Sequence, residues 1–168
     1  MERMWLIGMM GSGKSTVGGE VAARIGEPFH DTDQIVSDRA GMPIAELFET
    51  IGVAAFRDLE RQAVESVATA RGIIATGGGV VLDPQLRSLL SETGTVVHLD
   101  APPEALATRL GSGSGRPLIE GGDTRRRLSD IASERADLYS SIADVVVETA
   151  DLERGEVVDM LETLWNRS

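Results

Sequence analysis

Gly8-Met9-Met10-Gly11-Ser12-Gly13-Lys14-Ser15 matches the pattern G-x-x-x-x-G-K-[ST], between an apolar run, Met4 to Ile7, and a stretch with helical character, Thr16 to Ile25. A strand, a glycine-rich turn and a helix in that order make a phosphate-binding loop. Gly8, Gly11 and Gly13 allow positive φ, so that several N–H groups can turn inward on a phosphate. The helix start adds the positive end of its dipole. Lys14 is then placed to reach β and γ phosphates and Ser15 to offer a hydroxyl to Mg²⁺, with Gly11, Ser12, Gly13 and Thr16 completing the nucleotide cradle. Lys14 is the only lysine among 16 basic residues; the others are all arginine. The chain has kept one compact, flexible ammonium where a point charge must follow phosphate oxygens.

The frame around this loop is narrow. A length of 168 residues predicts one domain, spanning 1–168, with a core that needs no staples. The absence of cysteine excludes disulfides, thiolate nucleophiles and cysteine-ligated zinc, and fits a reducing cytoplasm. Trp5 to Ile7 is too short for a signal-peptide core, and no stretch approaches membrane-spanning length, so the expectation is a cytoplasmic chain without a membrane partner. A net charge of −11 argues against a nucleic-acid partner. An acidic chain that binds anions must concentrate its arginines locally.

Strand-like and helix-like segments alternate along the whole sequence. Pro28 to His30 precedes helices running to about Arg71, Ile73 to Ala75 precedes Pro84 to Ser91, and Thr95 to Leu99 precedes Pro103 to Leu110 and Thr124 to Ser140. Asp144 to Val147 precedes a closing helix from Glu153. Five short strands separated by helices predict a parallel sheet, and apolar runs such as Val96-Val97 and Val145-Val146-Val147 predict cover on both faces.

Further constellations cluster after the strands, where ligand crevices open in such sheets. Asp31 and Asp33 end the second strand two residues apart, on one side of an extended chain: one carboxylate would enter the Mg²⁺ sphere and the other meet a substrate hydroxyl, or the pair is simply a helix start. Thr76-Gly77-Gly78-Gly79 permits close approach to a ligand or makes a loose turn. Arg57 and Glu60, at i and i+3 on a helix, form either a solvated ion pair or a substrate-carboxylate clamp with its fork fixed. Arg116, between Gly111-Ser112-Gly113-Ser114-Gly115 and Gly121-Gly122, suggests a mobile lid over about 111–123, against a plain surface loop. Arg135 is a second anion clamp or surface charge. Asp100 closes a strand and is a weaker metal candidate than Asp31; His30 and His98 are expected to pack in strands, and Trp5 and Trp165 in the core.

With these motifs combined, the chain resembles the shikimate kinases from the phosphate loop to about Val147. The resemblance implies an α/β fold of the P-loop nucleoside-monophosphate-kinase-like kind, a three-layer sandwich with a five-stranded parallel sheet, helices on both faces and a mobile lid. It implies substrate-binding helices over about 32–60, and ATP-dependent phosphorylation of the 3-hydroxyl of shikimate in the route to chorismate and the aromatic amino acids. It further implies Asp33 as base or orienting group, and Lys14 and Arg116 at the transferring phosphate. Arg57, Arg135 and the backbone of Gly78 and Gly79 would hold the acceptor, Arg109 would lie against adenine, and Ser15 and Asp31 would serve Mg²⁺. A monomer acting on small molecules alone is expected. Two positions depart from the pattern: Asp137 stands where the family usually has proline, an extra anion close to Arg135, and Glu148 to Leu152 lack the proline often found there. Alternatives within the same fold are a gluconate or nucleoside monophosphate kinase, and outside enzymology a non-catalytic ATP-binding regulator.

Overall fold

The computed structural model describes residues 2–111 and 123–167. The elements run β1 (Arg3–Ile7), α1 (Lys14–Ile25), β2 (Phe29–Asp31), α2 (Thr32–Ala40), α3 (Ile44–Val67), β3 (Gly72–Ala75), a 3₁₀ turn (Val80–Leu82), α4 (Pro84–Thr93), β4 (Thr95–Asp100), α5 (Pro103–Leu110), α6 (Thr124–Ser140), β5 (Val145–Glu148) and α7 (Arg154–Arg167). The five strands form one parallel sheet in the order β2-β3-β1-β4-β5. Each boundary lies within a few residues of the sequence expectation, and α5 and α6 begin and end where it placed them. The segment expected to form a lid, with Arg116, Pro117 and Leu118, lies outside the described residues except for its two ends.

β1 sits at the centre, with Trp5 opposite Ile74 on one side and Val96 on the other. Alternation along the strands builds two cores. Trp5, Ile7, Ile74 and Val96 pack with Leu86 and Leu90 of α4, Leu106 of α5 and Leu128 of α6. Met4, Leu6, Ile73, Val97 and Leu99 pack with Val17 and Val21 of α1 and Val158 and Leu161 of α7. Burial on both faces removes any polar face from the central strands, which is why they read as continuous apolar runs. Buried Trp5 still satisfies its indole N–H, which donates to Thr93 Oγ1 at 3.2 Å.

The expectation of two-sided cover fails at β5. It is an edge strand, and Val146 is 52% exposed. A β-branched run is equally compatible with an edge, because its pleat preference does not depend on what lies over it.

α3 is not one straight helix: Gly52 takes φ 78 and ψ 171, which separates the turn carrying Ile44 and Phe48 from the one carrying Phe56, Arg57 and Glu60. A third small core of Val36, Leu47, Phe56 and Ala63 joins α2 to α3.

Two adjacent glycines in α1 test the closeness of helix to sheet. A Cβ on Gly18 would stand 2.7 Å from the Phe29 ring and 2.9 Å from a Leu6 methyl, whereas one on Gly19 would meet nothing nearer than 3.7 Å. Helix propensity alone favours alanine over glycine by about 1 kcal/mol. Gly19→Ala should therefore raise the urea midpoint, and Gly18→Ala should lower it; equal shifts of one sign in the two variants would contradict this packing.

Candidate active site

The turn after β1 has the predicted backbone. Gly8, Gly11 and Gly13 have φ of 141°, 80° and 97°, and a side chain on Gly8 would overlap the Leu99 carbonyl. Gly13 caps α1 without a side chain, so no side chain competes for the first amide groups of the helix. Lys14 is buried, and its Nζ donates to Gly8 O at 2.8 Å and Met9 O at 2.9 Å and lies 3.4 Å from Ser12 Oγ. The ammonium is thus folded over its own loop.

Beside the loop opens a cavity of about 410 Å³. Its wall includes Gly11, Gly13, Lys14, Ser15 and Thr16 from the phosphate loop and α1. Asp33 of α2, Arg57 and Glu60 of α3, Gly78 and Gly79 after β3, and Arg135 of α6 complete it. Ile44, Phe48 and Phe56 give the cavity an apolar side; the Phe48 and Phe56 rings are 4.9 Å apart and the Arg57 guanidinium lies 5.5 Å from the Phe56 centroid.

The extended geometry expected for Asp31 and Asp33 does not occur. The chain turns into α2 at Thr32, so Asp31 becomes the helix cap, its Oδ1 accepting from the amides of Asp33 (3.0 Å) and Gln34 (3.3 Å). The two carboxylates are therefore divided: Asp31 fastens the helix and Asp33 enters the cavity. Burial pushes the Asp33 carboxyl from 3.8 up to about 6, with Asp31 and Glu60 adding to the rise and Lys14 and Arg57 opposing it. An acid poised there is ionised at neutral pH yet basic enough to accept a hydroxyl proton.

Arg57 Nη1 donates to Glu60 Oε2 at 2.6 Å, and the Glu60 side chain is only 3% exposed. The pair is therefore a half-buried guanidinium held by a buried carboxylate on the cavity wall, and not a fully solvated ion pair. Burial raises the Glu60 carboxyl, against the pull of Arg57. Arg135, also buried, donates from Nη1 to Gly78 O at 2.9 Å, and its enclosed Nε has no hydrogen-bond partner among the described residues. A guanidinium on the wall of a cavity suits an anionic ligand. Asp137 is exposed on α6, pointing away from Arg135's buried side.

The three glycines do form a turn, closed by the Val80 amide donating to Gly77 O at 3.2 Å, and none of them has positive φ. They make room for the protein's own charges. A Cβ on Gly77 would stand 2.6 Å from Glu60 Oε1 and 2.7 Å from Asp33 Oδ1, and one on Gly79 would overlap the Arg57 guanidinium. Thr32, fully buried, accepts from the Gly77 amide at 3.2 Å, and Tyr139 donates to Gly78 O at 2.6 Å. Reading the sequence assigned no role to Thr32, to Tyr139 or to the apolar side. Position between two aspartates and next to Arg57 was the available signal for Thr32 and Phe56.

Other candidates stand apart from the cavity wall. Ser12 is buried behind the loop, and Asp100 is half exposed, its carbonyl accepting from Thr149 N at 2.8 Å. Arg109 is held on Thr149 by bonds to Oγ1 (3.1 Å) and O (2.6 Å), which ties α5 to the segment after β5. His98 is buried and lies under Tyr139, with ring centroids 4.7 Å apart, and burial lowers its pKa. For Mg²⁺, no group of three or more acidic or histidine side chains suited to a metal occurs among the described residues. The Ser15 hydroxyl on the wall and the nearby Asp31 carboxylate are hard oxygen donors, which fits an ion that binds through few protein ligands and substrate phosphates.

Known proteins bear on this arrangement. The family model described as Shikimate kinase matches residues 10–164. A shikimate kinase of Dechloromonas aromatica is 38% identical over 165 residues, covering 98% of this chain and 90% of that protein. One of Francisella tularensis subsp. holarctica is 38% identical over 164 residues, covering 96% and 93%. The structure of a shikimate kinase from Acinetobacter baumannii in complex with shikimate superposes with a TM-score of 0.93 at 29% identity, covering 100% of this chain and 95% of that one.

Two outcomes follow from the geometry. Asp33 holds its proton more tightly folded than unfolded, so ionising it costs stability above about pH 6, less between 3.8 and 6, and nothing below. Asp33→Asn should therefore raise the stability at pH 8 by at most about 3 kcal/mol, seen as a higher Tm, with the gain gone near pH 4; a pH-independent change would contradict the burial of this charge. Gly79→Ala should displace Arg57 and weaken binding of a small carboxylate in calorimetry by at least tenfold, while leaving nucleotide affinity within about twofold.

Proposed function

The chain belongs to the shikimate kinase family, and from that premise we propose that its ATP-dependent phosphorylation of shikimate takes place in the cavity beside Lys14, at the acceptor's 3-hydroxyl. The observation that carries this reading is the convergence of Lys14, Asp33, Arg57 and Arg135, from four different elements, on one wall. A gluconate or nucleotide acceptor is not favoured, since the family that matches is defined by shikimate.

The chemistry follows from the groups present. Arg57, held by Glu60, and Arg135, both on the cavity wall, receive the acceptor carboxylate. The backbone of Gly78 and Gly79 and the apolar side formed by Phe48 and Phe56 seat the ring. Asp33 accepts the proton of the attacking hydroxyl as the bond from that oxygen to the γ-phosphorus forms. The bond from the γ-phosphorus to the bridging β-γ oxygen breaks, and ADP leaves with the electron pair. Lys14 unfolds from its loop carbonyls onto the β and γ phosphates, where the amides of Gly11, Ser12, Gly13 and Thr16 lie. Arg116 contributes a further cation and Arg109 adenine contact. Mg²⁺, when bound with the nucleotide, neutralises phosphate charge; the Ser15 hydroxyl would hold it directly and Asp31 from its outer sphere. Shielding from water strengthens each of these interactions.

A monomer acting on small molecules is part of this reading. The lack of cysteine supports the cytoplasm, and no described helix is long and apolar enough to cross a membrane.

A coupled ADP-release assay offering shikimate, gluconate and nucleoside monophosphates should show turnover with shikimate alone; turnover confined to another acceptor would sink the assignment. In that assay kcat/KM for shikimate should fall tenfold per pH unit below about 6, as Asp33 takes up a proton, and the Asp33→Asn variant should lose turnover while still binding ATP. Arg57→Ala should raise the shikimate KM about 100-fold, with the KM for ATP little changed; the reverse split would place Arg57 on the nucleotide.

A further inference from the structure

Tyr139 is almost fully buried on α6, one helical turn beyond Arg135. Its hydroxyl and Arg135 Nη1 donate to the same oxygen, Gly78 O, at 2.6 and 2.9 Å. A carbonyl has two lone pairs, so both acceptor positions are taken. The phenol ring is itself fixed, stacked on His98 of β4 with 16° between the planes. Burial pushes the hydroxyl up to about 12, so it stays a neutral donor across the working pH range.

The carbonyl held this way belongs to the segment that spaces the charged groups. Gly77 lies against the carboxylates of Asp33 and Glu60, and Gly79 against the Arg57 guanidinium. A drift of Gly78 by a few tenths of an ångström would move both contacts together. The phenol oxygen is also hydrogen-bonded to Arg135, so without the hydroxyl Arg135 would lose that partner and, among the described residues, be the sole side chain on Gly78 O, drawn further toward the loop.

We propose that Tyr139 is a positioning residue for the acceptor: its hydroxyl fixes the Gly78 carbonyl, which keeps the triple-glycine segment in register with Asp33 and Arg57 and leaves the other Arg135 donors for the acceptor carboxylate. This rests on reading the cavity as the acceptor site.

Tyr139→Phe keeps the ring and its stack and removes only the hydroxyl. With shikimate, kcat/KM should fall about 10- to 100-fold, and the KM for ATP should stay within twofold. Amide hydrogen exchange at Gly78, Gly79 and Val80 should quicken about tenfold in the free protein. A second variant, Tyr139→Leu, should lower Tm further yet show the same kinetic loss. The proposal is overturned by an acceptor kcat/KM within twofold of the parent, by equal losses for both substrates, by unchanged exchange, or by a loss seen only in Tyr139→Leu. If the parent does not turn over shikimate, the functional reading fails by itself, and the exchange measurement still decides whether Tyr139 fixes the loop.

Discussion

Between Gly77 and Gly79 the backbone runs so close to the Asp33 and Glu60 carboxylates and the Arg57 guanidinium that no methyl group could be added at either end. The site depends on this approach. Two carboxylates and a guanidinium brought together by side-chain contacts alone would have to choose among several rotamers each. A bare backbone segment wedged among them sets their separations, and its own position is set by Thr32, Arg135 and Tyr139. Preorganisation of this sort lets charged groups act without rearrangement at the moment of reaction.

The cost falls on electrostatics. Asp33 and Glu60 are carboxylates that burial disfavours, and Arg135 keeps a donor unmet. Each is a local violation of what a stable core would choose, and such violations collect at functional sites. The cavity resolves part of the conflict by holding Lys14, Arg57 and Arg135 against Asp33 and Glu60, a cationic excess within a chain of net charge −11. Acidic surroundings reduce competition from nonspecific anions, while the focused field of the cavity still draws the right one. The single lysine among arginines fits the same division of labour. Guanidinium groups hold planar carboxylates in fixed forks, and the ammonium, now lying on Gly8 and Met9 carbonyls, can move to a phosphate.

Most of the fold could be read in advance because its signals are local. Glycines at 8, 11 and 13 take the positive φ expected of them, apolar runs mark the strands, and Pro84 and Pro103 open the helices they precede. Where the reading failed, a longer-range fact intervened. Val145 to Val147 looked doubly covered, but the sheet order makes β5 an edge. Asp31 and Asp33 looked like neighbours on one side of an extended chain, with a helix start as the alternative, and a helix does begin between them and gives Asp31 the work of a cap. Asp137 stood two residues from Arg135 in sequence, and helical rotation separates their side chains.

By itself, then, the sequence determined which segments are strands and helices, that a glycine turn of phosphate-loop pattern would follow β1, and which residues were chemically able to serve an anionic acceptor. Those properties are set by backbone dihedral preference, apolar periodicity and side-chain chemistry, all of which act over a few residues. Tertiary structure alone decided that Arg135 and Tyr139 meet Gly78 from 57 and 61 positions away, that Gly77 and Gly79 exist to admit other side chains, and that Asp33 is buried enough to titrate near 6. Desolvation and through-space contact depend on how distant segments close around one another, and residue spacing along a chain carries no measure of that.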